Sequence, residues 1–304
     1  MTYRYFVFGL HIQSEMEIPE LLKDESNLPP DVKILIGETP EELTDCKNKG
    51  VTFQIANNEL LLGLKGIARY YVKDGKEIII SPKPDSDERD IRLFLLGSCF
   101  GALLHQQKVL ALHASAIVHE GKAVLFTGVS GAGKSTTANA FRLEGFKMLT
   151  DDICPIKMID GVPYALPGYP QSKLWEDALE KLSVDYENLK KVRTKLNKRA
   201  VPITKDFETK AIPIKAIYRL QKHKKNDIEL IDLDNANKFL LIKNMTYRHY
   251  FVKDMETHPY HFMNSSMLAN KVPIKTIIRP ETFCLPEVMA TIKADLEQLN
   301  SLAV

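Results

Sequence analysis

Residues 121–152 read GKAVLFTGVSGAGKSTTANAFRLEGFKMLTDD, and this stretch decides the fold. Ala123, Val124, Leu125 and Phe126 form a short apolar run, the signature of a buried strand. Gly128-Val129-Ser130-Gly131-Ala132-Gly133-Lys134-Ser135 then meets G-x-x-x-x-G-K-[ST] at every fixed position. Glycines let successive backbone N–H groups wrap an anion, and the N-terminus of the helix expected after Lys134 adds its positive dipole end. Lys134 offers a point charge to the outer phosphates, and the Ser135 hydroxyl is placed for Mg²⁺. Gly128, Ser130, Gly131, Ala132, Gly133, Lys134, Ser135 and Thr136 are the expected contacts of a nucleoside triphosphate. The competing reading is a plain glycine-rich turn, but strand, loop, Lys-Ser and helix agree against it.

Asp151 and Asp152 close the stretch, at the end of a short run that returns after Gly145. Adjacent residues at a strand end point to opposite sides, so one carboxylate can approach a metal and the other a nucleophile. A solvated acidic turn is the alternative.

With residues 112–118 (LHASAIV), the phosphate loop and Leu149-Thr150-Asp151-Asp152, the chain resembles the kinase domain of bacterial HPr kinase/phosphorylase, whose fold is related to phosphoenolpyruvate carboxykinase. The opening Tyr5-Phe6-Val7-Phe8-Gly9-Leu10 and Ile18-Pro19-Glu20-Leu21 are similar to the HPr-kinase-like proteins of peptide biosynthetic clusters, including the lasso-peptide precursor kinases. The resemblance implies a serine acceptor in a peptide or protein, with ATP and Mg²⁺ as cofactors. It marks His113 as a residue that contacts phosphate or orients a carboxylate. It also matches the stretch Asn197-Lys198-Arg199-Ala200-Val201-Pro202 to an element that supplies an active-site arginine. Residues 167–170 (Pro-Gly-Tyr-Pro) depart from the family, which carries a glycine-containing signature with a metal-binding acid there. That departure puts the reverse, phosphorylase reaction in doubt.

The rest of the chain bounds these expectations. Its 304 residues suffice for one large domain or two. A net charge of +2 from 41 basic and 39 acidic residues gives no polyanion footprint and no support for nucleic-acid binding. Cys46, Cys99, Cys154 and Cys284 form no C-x-x-C pair, as expected of free thiols in a reducing cytoplasm. No signal-peptide pattern opens the chain, and no apolar run is long enough for a bilayer.

Short β-branched or aromatic runs at 3–12, 32–36, 51–55, 59–64, 67–72 and 77–80, separated by turn residues, predict a β-rich module over residues 1–84. It serves either recognition or structural capping. Residues 81–85 (SPKPD) mark the boundary, and a buried helix follows from Ser86 or Asp87 to His105. Beyond Asp152 the pattern predicts strands at 153–159, 214–220, 228–231 and 272–278. It predicts a loop over 166–175, and helices over 177–191, 234–243, 255–270 and 286–302. His258 and His261 are read as structural.

The expected fold is thus mixed α/β (α+β): a P-loop kinase core over 85–304 of the HPr kinase/phosphoenolpyruvate carboxykinase type, behind the β-rich module. In the expected mechanism Ser135 and Asp152 hold Mg²⁺, Asp151 is the general base, and Arg199 or Lys198 offsets transition-state charge. Tyr169 and the basic run Lys190, Lys191, Arg193, Lys195, Lys198 and Arg199 could line a peptide groove. A small-molecule kinase and a nucleotide-binding regulator without turnover stay open as alternatives, as does self-association; the expected compartment is the cytoplasm.

Overall fold

The computed structural model describes residues 1–193, 196–282 and 284–301. Lys195 of the basic run and Leu302 of the expected last helix lie outside them. Two nine-stranded sheets and a two-stranded ribbon make up the β structure of the described residues.

The N-terminal sheet runs in the order Leu22–Lys23, Tyr3–Val7, Leu10–Ser14, Val32–Ile36, Glu77–Pro82, Ala68–Lys73, Glu59–Leu64, Phe53–Ala56, Asn48–Lys49. The run expected over 3–12 is therefore a hairpin, because Phe8 and Gly9 both take positive φ (57° and 76°). A two-residue turn of that kind matches the twist of the strands it joins. Phe8 hid the break, since it is buried like a strand residue at 2 % exposure. Val32–Ile36 pairs in parallel with Leu10–Ser14 and with Glu77–Pro82, contacts that no local turn signal announces.

Asp87 caps the next helix by accepting a hydrogen bond from the Arg89 N–H. Helix Glu88–Phe94 passes through a π turn, Leu95–Cys99, into helix Phe100–Gln106. This segment lies on the N-terminal sheet: Leu95, Phe100 and Leu103 share a core with Val7, Ile34 and Val72. Tyr70 Oη donates to the Ile91 carbonyl at 3.0 Å. The hydrophobic core therefore continues across the expected boundary at residue 84 and takes in Ile153, Tyr169 and Tyr247.

In the second sheet Lys122–Thr127 lies between Ala114–His119, antiparallel, and Ile212–His223, parallel. Alternate side chains face opposite sides of a strand, and they do so here. Val124 and Phe126 pack with Phe141 and Ile292, whereas Ala123 and Leu125 pack with Leu241 and Leu268. Helices Lys134–Leu143 and Leu285–Ser301 thus cover one face, and Asn235–Met245 and His258–Lys271 the other. The architecture is mixed α/β. No helix of the described residues is long and apolar enough to cross a membrane, and all four cysteines are free.

Three expected elements differ. The helix over 177–191 is only Glu176–Lys181, because Ser183 turns left-handed at φ 54°. Val184, Tyr186 and Leu189 then fold back on Leu174, Leu179 and Val201. The expected loop over 166–175 ends in a strand, Gln171–Trp175, paired antiparallel with Lys198–Pro202. The helix over 255–270 starts only at His258 and runs to Lys271, and Glu256 at φ 55° separates it from a short preceding helix, Tyr250–Asp254.

Candidate functional site

The loop leaves the central strand at Thr127 and enters helix Lys134–Leu143 as expected. Gly128 stands at φ 142°, and a Cβ there would come within 2.6 Å of the Leu220 carbonyl. Only glycine fits so close to the neighbouring strand. Lys134 is buried, its Nζ donating to the carbonyls of Gly128 (3.0 Å) and Val129 (3.3 Å). Ser130, Gly131, Gly133, Lys134, Ser135 and Thr136 line a cavity of about 220 Å³ with His113, Asp151, Asp152, Lys173 and Lys198. Gly128 and Ala132 lie beneath it: the Ala132 carbonyl accepts from Arg279 Nη2 at 2.7 Å.

The two carboxylates diverge. Asp151 is buried and accepts four hydrogen bonds. Its Oδ1 takes Ser115 Oγ (2.6 Å) and Ser135 Oγ (2.8 Å), and its Oδ2 takes Ser172 Oγ (2.6 Å) and the Lys173 N–H (3.1 Å). Those four bonds fix both carboxylate oxygens in place. Asp152 takes a left-handed backbone, φ 77°, and its side chain is 31 % exposed. His113 Nδ1 lies 3.3 Å from its Oδ1, and Lys173 Nζ lies 3.6 Å from its Oδ2. Burial opposes charge on Asp152, but Lys173 and His113 outweigh it and hold the carboxyl well below the usual carboxylate range. Burial likewise opposes charge on Lys173, while Tyr169 and Asp152 beside it hold the ammonium above the ordinary lysine value.

The expectation paired Ser135 with Asp152; the side chain that meets Ser135 is that of Asp151. The reason lies in the turn: once Thr150 ends its strand, the left-handed Asp152 swings away from the loop. His113 Nδ1 also donates to the Asp152 carbonyl at 3.0 Å, since a carbonyl oxygen only accepts.

The ribbon separates Lys198 from Arg199. Gln171–Pro202, Lys173–Ala200 and Trp175–Lys198 are opposed pairs on one face, and Ser172–Val201 and Leu174–Arg199 are on the other. Lys198 accordingly faces the cavity, its Nζ 5.8 Å from the Trp175 ring centre. Arg199, expected beside the phosphates, instead bonds Glu176 at 2.7 Å and the Leu189 carbonyl at 2.8 Å, away from the cavity lining. Tyr169 is also not a groove residue: at 4 % exposure it packs edge-on against Phe8. The Pro-Gly-Tyr-Pro segment acts as a strut. Gly168 N donates to the Leu149 carbonyl at 2.9 Å, so close that an added Cβ would meet Thr150 Oγ1 at 2.3 Å.

The donor set suits a hard divalent cation. Ser135 Oγ and Asp151 Oδ1 are oxygens 2.8 Å apart, near the roughly 2.9 Å edge of an octahedron with ~2.0–2.1 Å bonds. Among the described residues no three His, Cys, Asp or Glu side chains converge as an all-protein metal cage. Mg²⁺ needs none, since it keeps waters and substrate phosphates. His261, read as structural, bonds Thr246 Oγ1 at 2.8 Å.

The sequence reading missed Lys173, Arg279 and the Ser115–Ser172 pair around Asp151. Lys173 belongs to no motif and is placed by pairing with a strand some twenty residues on. Ser115 had a signal: it lies two residues beyond His113, hence on the same face of the chain entering the strand beside the loop.

Fold and site together define a mixed α/β protein with a glycine-rich loop between a central strand and a helix, faced by a carboxylate pair. Among solved structures the chain is similar to the HPr(Ser) kinase/phosphatase from Coxiella burnetii, at 12 % identity and a TM-score of 0.28, over 64 % of this chain and 97 % of that one. A superposition that loose decides neither fold nor chemistry. No family model and no curated protein matches the chain.

Proposed function

We propose that this chain is an ATP- and Mg²⁺-dependent kinase that transfers the γ-phosphoryl group to a serine hydroxyl of a peptide or protein. One observation carries the proposal: Asp151 is held in place by four donors, Ser135 of the loop among them, while Asp152 one residue later lines the same cavity without a bond to Ser135. The pair thus divides into a metal-side carboxylate and a base, the reverse of the order expected from sequence. Bound Mg²⁺ supplies charge neutralisation at the phosphate oxygens, and Ser135 Oγ with Asp151 Oδ1 are the oxygens offered to it. Asp152 takes the proton as the acceptor O–H bond breaks. The freed oxygen bonds phosphorus while the bond from phosphorus to the ADP oxygen opens. His113 orients Asp152, and Lys134, Lys173 and Lys198 meet the charge that develops.

The resemblance to the lasso-peptide precursor kinases supplies the acceptor class, a serine in a short peptide. Labelled ATP offered with serine peptides, free sugars and nucleosides tests this. Peptide phosphorylation that is lost in Asp152→Asn supports it. Transfer only to sugars or nucleosides means a small-molecule kinase, and nucleotide binding without any transfer means a regulatory module.

A further inference from the structure

A second cavity of about 370 Å³ lies beyond Lys173, between the N-terminal module, helix Glu88–Phe94 with its π turn, and the ribbon. Lys173 lines both cavities. The ribbon face carrying Trp175–Lys198, Lys173–Ala200 and Gln171–Pro202 forms a floor from the phosphate loop into this second space. Four residues of strand separate its ends, about 13 Å at ~3.3 Å per residue.

The walls are apolar and cationic. Leu93 and Leu96 stand on the helical side, and a π turn, which recurs at functional sites, sets Leu96 there. Arg92 is neutralised by Glu20, its Nε 3.0 Å from both carboxylate oxygens. Lys190 and Lys191 are not: among the described residues neither meets an acid, and Lys191 Nζ reaches only Asn197 Oδ1 at 3.4 Å. Their backbone is fixed to the ribbon, with Ala200 N donating to the Lys190 carbonyl (2.9 Å) and Val192 N to the Lys198 carbonyl (2.8 Å). Two lysines without acid partners, held beside the ribbon floor that leads to the proposed base, complement a carboxylate on an extended chain.

We propose that this cavity holds an acidic segment of the acceptor polypeptide, its carboxylate facing Lys190 and Lys191 three to five residues from the phosphorylated serine. The inference rests on the kinase reading above and adds where the acceptor lies and what selects it. The carboxylate can be an Asp or Glu side chain or the chain end.

The test uses serine peptides with randomised flanks, prepared as free acids and as C-terminal amides and phosphorylated with labelled ATP by the full chain and by Lys190→Glu/Lys191→Glu. ATP affinity is measured alongside as the control for folding. The expected result is enrichment of Asp, Glu or a free C-terminus three to five residues from the serine. Roughly 1.4-fold to fivefold is the scale for an exposed charge pair, and in the double variant the preference inverts toward Lys and Arg. The free-acid and amide arms tell which carboxylate is read. Phosphorylation with no acidic preference, or with one that survives the charge reversal, overturns the site while leaving the kinase reading in place. Phosphorylation of no peptide at all overturns both.

Discussion

Ser135 Oγ lies 2.8 Å from Asp151 Oδ1, whereas Asp152, the next carboxylate, meets His113 and Lys173. A single left-handed residue sends the two side chains to different partners. Asp151→Asn replaces an acceptor with an amide that must present N–H groups to hydroxyls already donating. We expect a loss of about 1–3 kcal/mol of stability and weaker Mg²⁺-dependent ATP binding. Asp152→Asn is expected to keep ATP affinity and lower transfer by on the order of a hundredfold to ten-thousandfold. Thermal unfolding and ATP titration of both variants decide it; equal loss of binding in the two would remove the division.

Removing the Lys173 charge should move the acid limb of the pH–rate profile. In the proposed mechanism transfer requires the ionised Asp152, whose folded-state pKa lies below the usual carboxylate range with Lys173 as its largest stabilising partner. That active form is lost only as pH falls through the depressed value. In Lys173→Met the pKa rises, so the acid limb shifts to higher pH. Rates between pH 4 and 8 for both proteins check the sign, and an unmoved limb would mean Asp152 is not the titrating base.

Strain at Asp152 has a readout separate from catalysis. A non-glycine residue at φ 77° costs on the order of 1 kcal/mol in backbone energy. Asp152→Gly should therefore unfold at a higher temperature than Asp152→Ala, by roughly 0.5–1 kcal/mol in stability, with both inactive. Matching melting curves would show that the turn is relaxed.

Lys198 and Arg199, adjacent in sequence, should part company in assay. Lys198→Ala removes a cavity cation and is expected to lower kcat by on the order of a hundredfold, with little change in melting. Arg199→Ala breaks the contacts to Glu176 and Leu189 and should cost about 1 kcal/mol of stability, with turnover retained. Steady-state kinetics beside thermal unfolding separates them.

What was legible in the sequence was local. The run from Ala123 to Ser135 carries its strand, loop and helix in contiguous residues, and Asp87 announces its helix by capping it. What was not legible depends on distant pairing. Trp175 opposes Lys198, and only that register tells Lys198 from Arg199 or brings Lys173 to Asp152. The expected helix over 177–191 failed for a related reason: Val184, Tyr186 and Leu189 carry apolar character that serves the ribbon, and Ser183 breaks the helix before they can join it. Which carboxylate meets Ser135 turned on one φ value that composition does not encode.

The two-faced ribbon limits how this protein can diversify. Every second residue of Gln171–Trp175 and Lys198–Pro202 serves one face, so replacing Gln171, Ala200 or Pro202 alters the second cavity and leaves Ser172 on Asp151. Inserting or deleting one residue in Gln171–Trp175 would turn its side chains over, pulling Ser172 from Asp151 and Lys173 from Asp152 in one event. If the second cavity takes the acceptor as proposed, descendants of this chain can change acceptor by substitution at constant ribbon length, whereas a change of length in Gln171–Trp175 disturbs both cavities together.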